Sequence, residues 1–364
     1  MKYFSMLIKP ASSICNLKCK YCFYNDVKEN RSIPSYGVMD TKTIDNIIVK
    51  ALTFFKDETT IQFAFQGGEP TCAGLAYFKY FIAFAKKNQK AYHNIQYSIQ
   101  TNGTLLDDEW IAFFVENNFL VGVSLDGFKS NNDKFRIDQA DNGTFTKIMD
   151  NIEKMRKVGI PVNILTVLTS ELAAQPHQLY QFYQENNFGF VQLIPCLPPL
   201  GKETDEYSLK PKEFSTFYQA FFDDWYQDFI KGKYLSVTLF DNLILMFKDR
   251  PPLQCGYLGF CRMQFVCEAD GSIYPCDFYV LDEFKVGNIN SDSIEKLANS
   301  DVVKTFINQK KRISNRCADC RYWRICYGQC KRLNINYFDD EFCGLQDFLT
   351  QKEAGLVKAA SYIE

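Results

Sequence analysis

Cys15-Asn16-Leu17-Lys18-Cys19-Lys20-Tyr21-Cys22 follows shortly after the apolar run Phe4–Ile8. What these three cysteines mean depends on the pattern around them. Further strand-like runs occur at Ile61–Phe65, Ile95–Ile99, Leu120–Leu125, Val162–Leu168 and Phe190–Ile194. Longer segments with helical spacing lie between them, at about 43–56, 75–90, 107–117, 144–158 and 173–186. Asp107 offers an N-cap to the third helix, and Gly159-Ile160-Pro161 stops the fourth. Strands joined by crossover helices make a parallel sheet, so the class is α/β. The pattern fits an open doubly wound sheet or a partial barrel equally well.

In both architectures the chemistry gathers at the carboxyl ends of the strands. The cysteine triad follows strand one. Gln66-Gly67-Gly68-Glu69-Pro70 follows strand two, Thr101-Asn102-Gly103 follows strand three, and Ser124-Leu125-Asp126-Gly127 ends strand four. Pro195-Cys196 ends strand six. Three thiolates in one loop can hold three irons of a 4Fe–4S cubane. The fourth iron then lacks a protein ligand and stays open, as the metal does in catalytic zinc sites. A zinc knuckle or buried structural thiols are the alternatives, but a zinc knuckle needs a fourth ligand and none is in sequence reach.

Composition narrows the classes. The 364 residues exceed the roughly 250–300 that one core usually supports, which predicts a large domain and a smaller one. A formal charge of −2 without a long basic block argues against nucleic acid as a partner. Lys9-Pro10 interrupts the short apolar N-terminal run, so no signal peptide is expected, and Ile14 is too bulky before Cys15 for a lipoprotein site. No apolar run approaches 18 residues, so no transmembrane helix is expected either. The reading is cytoplasmic. There, 14 cysteines point to metal rather than disulfides. The two histidines, His93 and His177, lie far from every cysteine cluster, against Cys/His zinc fingers.

Residues 212–248 read as two helices. The first carries Phe214, Phe217, Tyr218, Phe221, Phe222, Trp225, Tyr226 and Phe229 at helical spacing, a packing stripe. From Cys255 the chain becomes turn-rich, and Asp270-Gly271 marks a hairpin. Eight cysteines follow: Cys255, Cys261, Cys276, Cys317, Cys320, Cys326, Cys330 and Cys343. They divide into two sets of four, fit for two zinc ions or two 4Fe–4S clusters. The tail after 344 reads as a helix.

The segment Cys15–Tyr24, with Tyr21 before the third cysteine, resembles the cluster motif of the radical S-adenosylmethionine (SAM) superfamily. That resemblance implies that SAM chelates the open iron and, on reduction, yields a 5′-deoxyadenosyl radical. Gly67, Gly68 and Glu69 resemble the segment that contacts the SAM amino group, and Ser124 and Asp126 resemble the ribose-contacting strand end, where Asp126-Gly127 is equally read as an ordinary turn. Gln66 and Asn102 face the same mouth and are candidate SAM or substrate contacts. The C-terminal cysteines resemble a SPASM domain, a twin-cluster extension. This implies an inner cluster on Cys255, Cys261, Cys276 and Cys330, an outer one on Cys317, Cys320, Cys326 and Cys343, and three 4Fe–4S clusters in all. Cys72, Cys196 and Cys267 are left over and read as structural. The implied architecture is a partial (β/α)6 barrel over 1–205, a helical connection over 206–250, a SPASM domain over 251–343 and a C-terminal helix over 344–364.

More specifically, Leu7–Ser13, Phe63–Thr71, Gln100–Thr104 and Ser208–Lys212 are similar to the anaerobic sulfatase-maturating enzymes. Tyr274-Pro275-Cys276-Asp277-Phe278-Tyr279-Val280-Leu281 resembles that family's segment with its proposed catalytic base, which implies this role for Asp277. The likeness weakens after Cys330, where a basic, cysteine-rich run of some members is missing. The implied reaction oxidises a cysteine or serine of a sulfatase polypeptide to Cα-formylglycine, with a flavodoxin or ferredoxin as reductant. Tyr24 is a candidate substrate contact. A SPASM maturase of another peptide, thioether-forming or epimerising, is the alternative. With the first cysteine at position 15, little chain precedes it for the leader-peptide-binding domain such maturases often carry. A zinc-bound scaffold with a degenerate first cluster is the reading from a different class.

Overall fold

The computed structural model describes residues 2–362. It divides into two units. The first comprises Met1–Ser124, Arg136–Val162 and Arg262–Asn308; the second comprises Leu125–Phe135, Asn163–Cys261 and Gln309–Glu364.

In the first unit β1 (Lys2–Ile8), β2 (Thr59–Phe65), β3 (His93–Thr101) and β4 (Leu120–Ser124) are parallel neighbours in sequence order. Alternation sets the faces. Along β1, Phe4, Met6 and Ile8 are buried while Tyr3 is exposed. Helices Thr41–Phe54, Leu75–Asn88, Asp108–Glu116 and Phe145–Lys157 make or precede the crossovers. The expected Asp107 cap is present and accepts from the Trp110 amide at 3.0 Å. The first long helix starts two residues earlier than its apolar spacing suggested, because the Asp40 carboxylate caps it through the Thr43 amide at 2.7 Å. Phe63 and Phe65 stand against Phe81 with ring centres 5.1 and 5.0 Å apart, the centre of this core.

The cysteine-rich region enters this sheet. Within the second unit lie β5 (Val162–Leu168, all but its first residue), β6 (Phe190–Pro195) and β7 (Ser236–Val237), parallel in that order. The expected hairpin forms from β8 (Val266–Cys267) and β9 (Ser272–Tyr274), with β10 (Gly287–Asn288) beside β9. β8 pairs in parallel with β1, Ile8 opposite Cys267, and this placement brings Asp277 to the first strand. Periodicity could not show it, since it joins segments some 260 residues apart.

In the second unit the expected helix 173–186 is two, Ser170–Ala173 and Pro176–Glu185. Pro176 has no amide hydrogen to continue a helix and instead occupies the first turn of the second. The aromatic stripe packs as expected: Phe214, Phe217, Tyr218, Phe221, Phe222 and Trp225 are buried. Phe222 and Tyr218 meet Phe348 of the C-terminal helix Gly344–Ala360. Gly355 of that helix faces Phe222 so closely that a Cβ there would lie 2.8 Å from its ring. Residues 363 and 364 of the expected tail helix lie outside the described residues. Among the described residues, no helix is long and apolar enough to cross a membrane.

Candidate active site

The loop after β1 carries Cys15, Cys19 and Cys22, and two glycines explain how it is held. Gly68 donates to the Ser12 carbonyl at 2.9 Å and Glu69 to the Ile14 carbonyl at 2.8 Å. A Cβ on Gly68 would fall 2.3 Å from the Ile14 oxygen, and one on Gly67, at φ +126°, 3.0 Å from the Ser12 oxygen. Only glycine lets the turn after β2 press its backbone against the cysteine loop.

Glu69 is 1 % exposed. One carboxylate oxygen accepts from the Thr71 amide and hydroxyl and the Thr101 hydroxyl, at 3.0, 2.6 and 2.7 Å; the other accepts from the Asn102 amide at 2.7 Å. Burial pushes its pKa up against the pull of these donors. Of the roughly four lone-pair positions of a carboxylate, this arrangement leaves room for one more donor on the second oxygen. Asn102 in turn donates to Asn16 Oδ1 at 2.9 Å and accepts from the Thr104 amide and hydroxyl. Asn16 lies inside the cysteine loop, so Glu69 and Asn102 tie the ends of β2 and β3 to it. Ser124, at the end of β4, receives the Gln100 side-chain amide at 3.0 Å. Asp126, in the second unit, is fully buried and accepts from the Val167 amide, an internal structural bond.

A second group forms around Asp277. Lys9 closes β1 and is 2 % exposed; its ammonium lies 2.9 Å from Asp277 Oδ1. The Tyr24 hydroxyl donates to Asp277 Oδ2 at 2.6 Å, and Gln66 Nε2 donates to the Tyr24 oxygen at 2.8 Å and to Asp277 Oδ2 at 3.3 Å. The Asp277 amide donates to Gln264 Oε1 at 3.3 Å. Lys9 also stands over the Tyr24 ring, 4.6 Å from its centre. Burial first, then the Asp277 carboxylate, hold the Tyr24 phenol well above its ordinary pKa, so it stays a donor. Sequence reasoning named Asp277, Tyr24 and Gln66 separately; the structure brings them together. It missed Lys9 and Gln264. A lysine directly after the mostly apolar run Phe4–Ile8 was the available signal, since a charge buried there needs a partner.

The thiols fit metal better than free cysteine chemistry. Burial pushes Cys15 up to about 12, with Glu69, Cys19 and Cys22 adding to the rise against the Leu17 amide. Burial likewise pushes Cys326 up to about 12, reinforced by Cys343, Cys317 and Cys320. Buried thiols of this kind are inert until a metal displaces the proton. Cys317, Cys320, Cys326 and Cys343 line one cavity of the second unit, together with Gln329. Cys261 feels Cys330 in the same unit. Among the described residues, no three His, Cys, Asp or Glu side chains converge to hold a single metal ion. The cysteine sets are recognised instead by shared loops, a shared cavity and mutual charge. Cys267 is buried in β8, Cys196 is buried at the end of β6, and Cys72 is half-buried in the turn Pro70–Ala73.

Two family models match the chain. The radical SAM superfamily model matches residues 10–182, and the SPASM iron–sulfur cluster-binding domain model matches residues 259–321. Over 91 % of its length the chain is 45 % identical to the "Cysteine-type anaerobic sulfatase-maturating enzyme" of Clostridium novyi (strain NT), covering 89 % of that protein. The chain belongs to the anaerobic sulfatase-maturating enzymes. It is 38 % identical to the solved structure "Native anSMEcpe with bound AdoMet", with a TM-score of 0.93 over 99 % of this chain and 100 % of that one. A structure titled "Native anSMEcpe with bound AdoMet and Cp18Cys peptide" matches with 37 % identity and a TM-score of 0.91 over all of both chains. The α/β class expected from the sequence holds, with a partial (β/α)6 barrel of the radical SAM type and a SPASM domain. Like other anaerobic sulfatase-maturating enzymes, the chain is a radical SAM oxidoreductase whose cofactors are 4Fe–4S clusters and SAM.

Proposed function

We propose that this chain converts a cysteine of a sulfatase polypeptide to Cα-formylglycine, with Asp277 as the base that removes the substrate's thiol proton. The observation that carries the residue roles is the buried group of Asp277, Lys9, Tyr24 and Gln66, in the same unit as the Cys15–Cys22 loop. The 45 % identity to a cysteine-type enzyme supports a cysteine rather than a serine substrate.

Cys15, Cys19 and Cys22 would hold the catalytic cluster, and Cys255, Cys261, Cys276 and Cys330, then Cys317, Cys320, Cys326 and Cys343, keep the two auxiliary sets the resemblance assigns. Bound SAM supplies, on reduction, the radical that takes a hydrogen atom from the substrate Cβ. With the thiol proton and one further electron also removed, the substrate is left as a thioaldehyde, which water converts to the aldehyde with release of hydrogen sulfide; the chain's own groups handle the proton. Asp277 accepts the proton. Lys9 holds the carboxylate in place, and Tyr24 and Gln66 fix which lone pair faces the substrate. Gly67, Gly68, Glu69, Asn102 and Ser124 shape the proposed SAM site, chiefly by holding the cysteine loop against β2 and β3. Asp277 directly follows Cys276, so proton and electron would leave on one side of the substrate. Residues 1–205, 206–250, 251–343 and 344–364 remain the proposed functional division. The protein is proposed to act in the cytoplasm, with a flavodoxin- or ferredoxin-type reductant and without nucleic acid or membrane.

The test is Asp277→Asn in reconstituted anaerobic enzyme, supplied with reductant, SAM and a peptide carrying Cys-x-Pro-x-Arg. SAM cleavage should persist while formylglycine formation falls by about 10²–10⁴-fold, the usual contribution of a positioned base. Unchanged product yield would remove Asp277 from that role.

A further inference from the structure

Cys326-Tyr327-Gly328-Gln329-Cys330 runs from a ligand of the proposed outer cluster to a ligand of the inner one. Its backbone is forced: Tyr327, Gly328 and Gln329 have φ of +45°, +73° and +55°. Two of these are not glycine, so the surrounding structure must hold them in a sparsely populated conformation. Lys311 holds the turn. Its ammonium donates to the carbonyls of Tyr327 and Gly259, and to that of Gln329 at 3.1 Å. The result is that the Gln329 side chain turns inward, 2 % exposed, into the cavity lined by Cys317, Cys320, Cys326 and Cys343.

Among the described residues, neither the Nε2 nor the Oε1 of Gln329 has a hydrogen-bond partner. An unpaired buried amide is costly and rare in native interiors. The polar side chains that share the cavity, Arg316, Tyr322, Trp323 and Gln346, do not bond it, and Phe338 and Leu349 have nothing to offer. Sulfur acceptors are what the four cysteines would place there. Two of these thiols already receive backbone donors: Gly328 N to Cys326 at 3.2 Å and Gln346 N to Cys343 at 3.4 Å.

We propose that Gln329 donates its Nε2–H to a sulfur of the outer cluster and thereby raises that cluster's reduction potential. The inference rests on the reading that Cys317, Cys320, Cys326 and Cys343 hold a 4Fe–4S cluster. A donor to sulfur favours the more negative, reduced state, which is how such bonds set potentials. The positive charge of Lys311, close enough to be felt with Cys326 and Cys317 as well as with Cys261 and Cys330, acts in the same direction.

The test uses the full chain with Cys15, Cys19 and Cys22 replaced by alanine, so that only auxiliary clusters remain. Iron is counted, and a redox titration is followed by electron paramagnetic resonance with and without Gln329→Met. About eight irons and a tenfold less favourable reduction of one cluster in the Met variant, about 59 mV for one electron, are expected. About eight irons and an unmoved potential would overturn the role of Gln329 while leaving the two-cluster reading intact. About four irons would overturn the cluster reading, and the proposal with it. Because Gln329→Met can also fail to assemble, the same alanine-substituted protein, carrying Gln346→Leu as well so that the other glutamine of the cavity is silent, is labelled with glutamine bearing 15N only at the side-chain amide and probed by pulsed resonance. A nitrogen coupling to the reduced cluster is expected, and its absence refutes the contact.

Discussion

Lys9→Met tests whether the buried ion pair serves the chemistry. Methionine is nearly as long as lysine and fills the same slot, so the main loss is the ammonium 2.9 Å from Asp277 Oδ1. Removing one partner of a buried pair costs about 3–5 kcal/mol. Asp277 keeps the Tyr24 hydroxyl and the Gln66 amide, so the lower end, about 3 kcal/mol, applies. That cost falls on the stability of the fold; on the chemistry, a base that loses its positioning partner forfeits the lower end of its roughly 10²–10⁴-fold contribution, about a hundredfold loss in formylglycine formation. If Lys9 acts only through Asp277, the two effects do not add. The double variant Lys9→Met/Asp277→Asn should match Asp277→Asn alone within about twofold, since groups acting as one unit are not additive. The assay is the rate of aldehyde formation by mass spectrometry in the four proteins, with 5′-deoxyadenosine measured alongside and expected to persist. A double variant that falls by the full further hundredfold would refute the reasoning and give Lys9 an independent role.

Two other substitutions probe the framework. Gly68→Ala places a methyl group 2.3 Å from the Ile14 carbonyl, so the cysteine loop must move. The variant should fold with its auxiliary clusters and lose the first, dropping iron from about twelve to about eight per chain, and SAM cleavage should disappear. In the second unit, Gly355→Val drives a branched side chain into the Phe222 ring. Overpacking of this kind costs about 1–3 kcal/mol, read as a lower thermal midpoint with iron content unchanged at low temperature.

Much of the site was legible because it is local. Three cysteines within eight residues, Gly67-Gly68-Glu69 and Asp107 each act on near neighbours in sequence or at a strand end, where the α/β pattern already concentrates chemistry. The aromatic stripe of Pro211–Phe229 was legible for the same reason, since helical spacing alone places it on one face. Other features needed the folded chain. β8 reaches β1 across some 260 residues, and only then do Lys9, Gln264 and Asp277 become neighbours. Gly68 looked like a ligand-approach glycine, yet the atoms it avoids belong to the cysteine loop. Glu69 looked like a partner for an ammonium, yet most of its acceptor capacity binds Thr71, Thr101 and Asn102. Gln329 carried no mark in the sequence at all, because its burial and its missing partner are tertiary facts.

The central claim is a hydrogen atom taken from the Cβ of a substrate cysteine. A Cys-x-Pro-x-Arg peptide with deuterium at both Cβ positions, incubated anaerobically with the reconstituted protein, SAM and reductant, tests it directly. The account predicts an aldehyde that keeps one deuterium and 5′-deoxyadenosine that gains one. An unmodified peptide, or 5′-deoxyadenosine free of deuterium beside a formed product, would contradict it.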